Sequence, residues 1–236
     1  LLMLVEKDRI AAVTDLAPDR NYSYMWQAAE GINIHSGLAE EVVPLSPDLI
    51  IGSTFTTGNS VQMLRQLDYP VQTFNSPATL LEVEEFTRDI GEVVGEPQRA
   101  EQLIKTMRSE IAQAKSLVEG KPQLLAISYA PNGFTAGKHT LKHEIIETAG
   151  YRNLAAELGI SYYGNLGVEQ LLKAKPDVII VDEDLANQNS LAQQFTSHPA
   201  IKRLLGEKSV TRIPSNYWLC PGPLASKAIL ALAEKR

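Results

Sequence analysis

Glu40-Glu-Val-Val-Pro-Leu-Ser-Pro-Asp-Leu-Ile-Ile51 and Glu169-Gln-Leu-Leu-Lys-Ala-Lys-Pro-Asp-Val-Ile-Ile180 are one phrase written twice. In each copy a short amphipathic helix stops ahead of a proline, Pro47 or Pro176, whose ring disfavours helical backbone in the residue before it. Asp48 or Asp177 then leads into an apolar run. Those runs, residues 49–51 and 178–181, read as buried parallel strands, because a strand covered on both faces has no polar alternation. A helix that feeds such a strand is the unit of a doubly wound sheet, and such sheets take ligands outside the carboxyl ends of their strands. The repeat therefore predicts two similar α/β lobes with a cleft between them.

Working outward, residues 9–14 read as a strand and the polar, aromatic stretch 15–24 as a loop at its carboxyl end, with Tyr22 and Tyr24 facing a ligand. The small-residue loop 52–58, which holds Phe55 and Thr56, precedes a helix at about 59–67. Residues 71–74 are a further short strand, followed by a helix that carries Glu82, Glu84 and Glu85 in its first turns, where acids suit the positive end of the helix dipole. Pro97 then opens a run in which Leu103, Ile104, Met107, Ile111, Ala114 and Val118 recur at helical spacing as far as Glu119-Gly120. A helix of roughly 22 residues rises about 33 Å, the breadth of a small domain. Lying midway between the two copies, it reads as a strut joining the lobes; one more crossover helix is the plain alternative.

The second lobe opens with a strand at 123–129 and the loop 130–137, which contains Asn132 and Phe134, before a helix at about 140–149. Tyr162-Tyr163-Gly164 forms an aromatic loop, the strand 178–181 runs out into Asp182-Glu183-Asp184, and 209–213 is the last strand. The loop 216–223, with Tyr217, Trp218 and Cys220, leads to a closing helix at 224–235. The resulting division is 1–95 for the first lobe, 96–120 for the interdomain helix and 121–236 for the second lobe.

Composition narrows the function. With 236 residues and 44% hydrophobic content the chain can fill a core in each lobe, and a formal charge of −6 without a Lys/Arg block argues against a nucleic-acid surface. One cysteine allows neither a disulfide framework nor a thiolate zinc site. No apolar run approaches the roughly 18 residues that span a bilayer. The opening Leu1-Leu-Met-Leu-Val5 reads as the tail of an apolar helix without an initiator methionine, so an upstream segment is expected, a secretory signal being one that maturation removes.

Catalytic and metal constellations are weak. His139 and His143 stand four residues apart at a helix start but lack the glutamate arrangement of a zinc protease, and Glu144 beside them reads as ordinary helix-surface charge. His35 and His198 read as surface or capping residues. Gly133-Phe-Thr-Ala-Gly137 precedes a helix but lacks both the Walker ending and the dinucleotide glycine spacing. Cys220 has no basic neighbour in sequence to lower its pKa. Aromatic residues, only 6% of the chain, concentrate instead in loops at strand ends: Tyr22, Tyr24, Phe55, Phe134, Tyr162, Tyr163, Tyr217 and Trp218. Rings at loop tips supply broad contact area with a polar handle.

The chain resembles the substrate-binding proteins of ABC importers, in the class with a rigid interdomain helix that carries ferric siderophores, haem and vitamin B12. The resemblance rests on Pro47-Asp48 and Pro176-Asp177, the helix 97–119, Phe134-Thr-Ala-Gly-Lys-His-Thr140 leading into Glu144-Ile-Ile-Glu-Thr-Ala-Gly150 and Asn153, Ser197-His-Pro199, Trp218 and Pro221-Gly-Pro223. It implies a monomeric receptor, periplasmic or lipid-anchored at the outer face of the cytoplasmic membrane. Such a receptor holds a metal chelate and delivers it to an ABC permease in the inner membrane, without cofactor, catalytic residue or protein-bound metal. The ligand set it implies is Tyr22, Tyr24, Phe55, Thr56, Asn132, Phe134, Tyr163, Tyr217 and Trp218, and the permease-docking acids are Glu82, Glu84, Glu85, Glu183 and Asp184. Two departures stand out: the family's first strand and its loop are missing ahead of residue 1, and Val61 lies where vitamin B12 receptors tend to carry a docking glutamate. Outside the resemblance stand a two-lobed enzyme of chelatase or nitrogenase-like type and a purely structural interaction protein.

Overall fold

The structure is a computed structural model that describes residues 1–53, 58–183 and 210–236. Its strands are β1 (Ala12–Thr14), β2 (Asn33–His35), β3 (Ile50–Ser53), β4 (Val71–Phe74), β5 (Leu124–Ser128), β6 (Phe134–Ala136), β7 (Tyr151–Asn153), β8 (Tyr163–Asn165), β9 (Val178–Asp182) and β10 (Val210–Ile213). Its helices are α1 (Ala39–Val42), α2 (Gly58–Gln66), α3 (Leu80–Val93), α4 (Pro97–Val118), α5 (Leu141–Thr148), α6 (Leu154–Glu157), α7 (Val168–Ala174) and α8 (Ala225–Glu234). The two-lobed α/β architecture is the one the repeat predicts. Phe55, Thr56, Asp184 and the Ser197-His-Pro199 stretch lie outside the described residues.

The two copies of the phrase share a backbone device. In the first, α1 passes through a turn of 3₁₀ helix (Val43–Leu45) to Ser46; in the second, α7 ends at Lys175. Both residues are left-handed, with φ of +47° and +49°, and each stands directly before the proline. A left-handed residue ends a helix by turning its last carbonyls toward new donors, and the proline then prevents resumption. Asp177 does more than lead in: its carboxylate accepts a hydrogen bond from Leu125 N at 2.7 Å while its own N–H donates to Leu125 O, stitching β9 to β5.

In the second lobe the strands lie in the order β10-β9-β5-β7, all parallel, and every residue of β9 is buried. In the first lobe the corresponding expectation needs correction. β3 is parallel to β4 but only half-buried, because β1-β2 and β3-β4 form two separate pairs that flank one groove instead of joining in a sheet. The groove and the cleft continuous with it enclose about 860 Å³, with Val13, Ile51, Leu64, Ile90 and Leu103 among its apolar walls. The opening segment is likewise corrected: Leu1 to Val5 make a turn, with Leu4 N and Val5 N both donating to Leu1 O, and the strand expected at 9–14 begins only at Ala12 after a 3₁₀ turn at Lys7–Arg9. No helix among the described residues is long and apolar enough to cross a membrane.

The helix α4 runs 22 residues from Pro97 and enters both cores. Ala100 and Leu103 pack with Leu4, Val5, Val13, Ile90 and Val94 of the first lobe. One to four turns later Met107, Ile111, Ala114 and Val118 pack with Tyr151, Ile229 and Leu232 of the second. The neighbouring α3 follows it closely, since a Cβ on Gly91 would stand 2.5 Å from the Ala100 Cβ. Polar contacts bind the same junction. Arg108 of α4 holds Glu84 of α3 in a two-pronged ion pair at 2.8 and 2.5 Å, and Glu110 accepts from Ser226 and Lys227 of α8. Glu144 of α5, read from sequence as plain surface charge, instead accepts from Leu80 N at 2.6 Å and so caps a helix of the other lobe.

Two outcomes follow from this junction. Gly91→Ala forces α3 away from α4 and should lower unfolding free energy by about 1–3 kcal/mol in urea denaturation. The Arg108 guanidinium holds the Glu84 carboxyl below its ordinary value of 4.5. A depressed carboxylate stabilises the fold above its unfolded pKa and ceases to as pH falls through the folded value. Glu84→Gln should therefore be less stable than the parent at pH 7, with the difference shrinking as pH drops below about 4.5.

Candidate functional site

In the second lobe the chain passes from β5 to β7 on one side and then returns to place β9 on the other, so the strand order reverses between β5 and β9. A crevice at the carboxyl ends of strands forms at such a reversal. There the ends of β5 and β9 present Ser128, Tyr129 and Asp182, roofed by an antiparallel flap of β6 and β8. Gly133 allows the flap to close down, since its φ is +77° and a Cβ would lie 2.3 Å from Leu166 O. Tyr129, whose hydroxyl donates to that same carbonyl at 2.6 Å, has its pKa pushed up to about 12 by burial.

The alternation of the flap sorts its side chains. Phe134 and Tyr163 share the outer face and stack with centroids 5.4 Å apart and planes within 8°. Thr135, between them in register, turns inward and is 1% exposed. Asn132 is exposed at the left-handed start of the flap, and its carbonyl accepts from Asn165. A second aromatic pair spans the lobes: Tyr24 lies 5.8 Å from Tyr217, with Lys227 above the Tyr24 ring. Next to it Cys220 Sγ donates to Tyr22 O and Asn216 donates to Arg20 O, so the loop 216–223 is fastened to the first lobe. Packing around the Cys220 sulfur pushes its pKa up, away from reactive thiolate.

Trp218 sits differently from the other predicted rings. It is 4% exposed, packed in the second lobe's core, and its indole donates to Asp182 Oδ1 at 2.5 Å. Lys142 Nζ lies 4.2 Å from the centre of the same ring and 3.9 Å from Asp182 Oδ2. Burial lowers the Lys142 pKa while Asp182 opposes that shift. Sequence reasoning passed over this Lys142–Asp182–Trp218 group. A signal was available: a lysine in the first turn of α5 meets the wrong end of the helix dipole and needs a separate reason to be there.

The remaining candidates take these positions. His139 packs its ring against Tyr162 and His143 Nδ1 faces the Asn153 amide at 3.2 Å, so the two imidazoles serve separate neighbours. His35 Nδ1 accepts from Gly37 N, which caps the loop after β2 and leaves the proton of the neutral ring on Nε2. Among the docking acids, Glu84 is tied to Arg108 and only 13% exposed, Glu82 closes its own helix by accepting from Ala78 N, and Glu85 and Glu183 are exposed.

Comparison with known proteins bears on this arrangement. A family of periplasmic binding proteins matches residues 1–206. The cobalamin-binding protein of Halobacterium salinarum (strain ATCC 29341 / DSM 671 / R1) is 27% identical over 203 residues, which cover 83% of this chain and 54% of that one. An uncharacterized ABC transporter substrate-binding lipoprotein of Bacillus subtilis (strain 168), YvrC, is 28% identical over 153 residues, 61% of this chain and 48% of its own. The chain thus spans about half the length of these curated relatives. The apo form of the periplasmic heme-binding protein RhuT from Roseiflexus sp. RS-1 shares the fold, with a TM-score of 0.78 over 95% of this chain and 90% of that one at 22% identity. With two α/β lobes on one shared helix, ring pairs at the strand ends and a family match over most of its length, the chain belongs to the periplasmic binding proteins.

Proposed function

We propose that the chain is the solute-binding receptor of an ABC importer, which holds a metal chelate between its lobes and hands it to a permease in the inner membrane. The observation that carries this reading is the pair of aromatic shelves at strand ends, Phe134 on Tyr163 and Tyr24 on Tyr217, set on two lobes fixed by α4. Flat rings in fixed positions suit a rigid, largely apolar chelate more than a free ion, which would need converging His, Asp or Glu ligands. A ferric siderophore or a corrinoid is favoured; haem is possible through a tyrosinate from Tyr22, Tyr24 or Tyr163. The names of the cobalamin-binding, vitamin B12-binding and heme-binding proteins support the chelate class.

In this reading the protein works as a monomer outside the cytoplasmic membrane, in the periplasm or on a lipid anchor, and turns nothing over. Its units are 1–95, the helix 96–120 and 121–236. Tyr22, Asn132, Phe55, Thr56 and the edge of Trp218 complete the ligand surface. Glu82, Glu85, Glu183 and Asp184 meet basic residues of the permease, while Glu84 supports them from its place against Arg108.

Titration with ferrioxamine B, haemin and cyanocobalamin should give saturable tryptophan quenching at one-to-one stoichiometry with at least one of the three. Silence toward all of them, or catalytic insertion of metal into a tetrapyrrole, would overturn the receptor reading. Because α4 lacks the loop or element-terminal residues that absorb large rotations in hinge closure, X-ray scattering of the free and loaded protein should nearly superimpose. A change in radius of gyration like that of a wide hinge closure would contradict the strut.

A further inference from the structure

Beneath the flap, at the reversal point between β5 and β9, lies a cavity of about 10 Å³ walled by Ser128, Ile180, Thr135, Lys142, Asp182 and Trp218 among others. That is room for a single water-sized atom. Three features of its wall are unusual together. Thr135 Oγ1 is buried and has no hydrogen-bond partner among the described residues. The Lys142 ammonium stands 3.9 Å from Asp182, within ion-pair range but beyond a direct hydrogen bond. Asp182 Oδ1 is taken by the Trp218 indole. Buried polar groups left in this state cost stability, and natural proteins keep them where something else completes them. The cavity is open on one side, and the exposed Phe134 is part of its wall.

We propose that Thr135, Lys142 and Asp182 form a polar subsite for the tip of a neutral hydrogen-bonding arm of the bound chelate, an amide or hydroxyl and not a carboxylate. The inference rests on the receptor reading above and narrows its ligand class. The charges of Lys142 and Asp182 offset each other, so an entering carboxylate would gain from one and be repelled by the other. An amide carbonyl oxygen has no such conflict: as the one atom the cavity admits, it accepts from the Lys142 ammonium and from the Thr135 hydroxyl. The site thus offers two donors to one neutral oxygen, and Asp182 Oδ2 beside them accepts from that oxygen when it is a hydroxyl. Trp218, held by the same carboxylate, forms the adjoining wall.

The decisive variant is Thr135→Val, which keeps the shape of the side chain and removes the unpartnered hydroxyl. A purely structural hydroxyl without a partner would be missed by nothing, so the variant's Tm should equal or exceed the parent's. If the subsite is real, calorimetric titration of Thr135→Val should show about 2- to 10-fold weaker binding of cyanocobalamin, whose arms end in amides, and little change for haemin, whose arms are carboxylates, or for ferrioxamine B, whose free arm ends in an ammonium. Lys142→Met should weaken cyanocobalamin in the same way and, by leaving Asp182 without its cation, also lower Tm. An unchanged Kd for cyanocobalamin in Thr135→Val would reduce the cavity to a water site and overturn the proposal. So would a parent protein that binds haemin or ferrioxamine B but not cyanocobalamin. Absence of binding to all three probes by the parent would instead remove the receptor reading, and the subsite with it.

Discussion

The shared helix α4 is the constraint on which the remaining structure depends. A 22-residue helix with no proline or glycine after Pro97 has no built-in kink site, and its two halves are buried in different cores, Ala100 and Leu103 in one, Met107, Ile111 and Ala114 in the other. Rotation of one lobe against the other would have to expose one of those faces. The polar contacts act in the same direction: Glu84 with Arg108, Glu110 with Ser226 and Lys227, and Glu144 on the start of α3 all tie elements across the junction. Single exposed ion pairs contribute little. Here they sit on a packed apolar seam, where their main effect is to select one orientation of α3, α5 and α8 around α4.

Fixing the lobes fixes what the loops can present. The ring pairs are set by the fold itself: Phe134 against Tyr163 on a flap, Tyr24 against Tyr217 across the lobes. Preorganised surfaces recover in affinity the ordering entropy that a mobile site would lose on binding. The flap is itself a consequence of backbone geometry, since Gly133 lets the chain pass against Leu166 O where any side chain would collide. Its alternation then divides labour, aromatic faces outward and Thr135 inward over the ends of β5 and β9.

The two lobes are unequal partners in this scheme. In the second, four parallel strands bury β9 completely and close over a polar crevice at the reversal of strand order. In the first, two strand pairs flank an apolar groove, and the equivalent strand β3 stays half-exposed. The same Pro-Asp-hydrophobic phrase therefore produces strands of different burial, because burial is conferred by the neighbours a strand finds and not by its own composition.

From the chain alone, the repeat at 40–51 and 169–180 and the periodicity of 97–118 were sufficient for two α/β lobes and one long helix shared between them. Each of these is a local pattern: a proline stops a helix, an apolar run buries a strand, a 3.6-residue period makes a face. What the tertiary structure alone decided are the relations between residues far apart in sequence. Glu144 looked like solvated charge until its partner proved to be Leu80 N, sixty-four positions away, and nothing near Trp218 in sequence announced its hydrogen bond to Asp182 or the Lys142 ammonium over its ring. The turn at Leu1 to Val5, apolar enough to read as helix, shows the same limit, since Leu4 and Val5 are placed by packing with Val13, Ile90 and Val94, residues distant in sequence. Pattern reports what one segment prefers; long-range pairing, which depends on where the strut and the sheets carry each side chain, determines which polar groups end up satisfied and which are left waiting in a crevice.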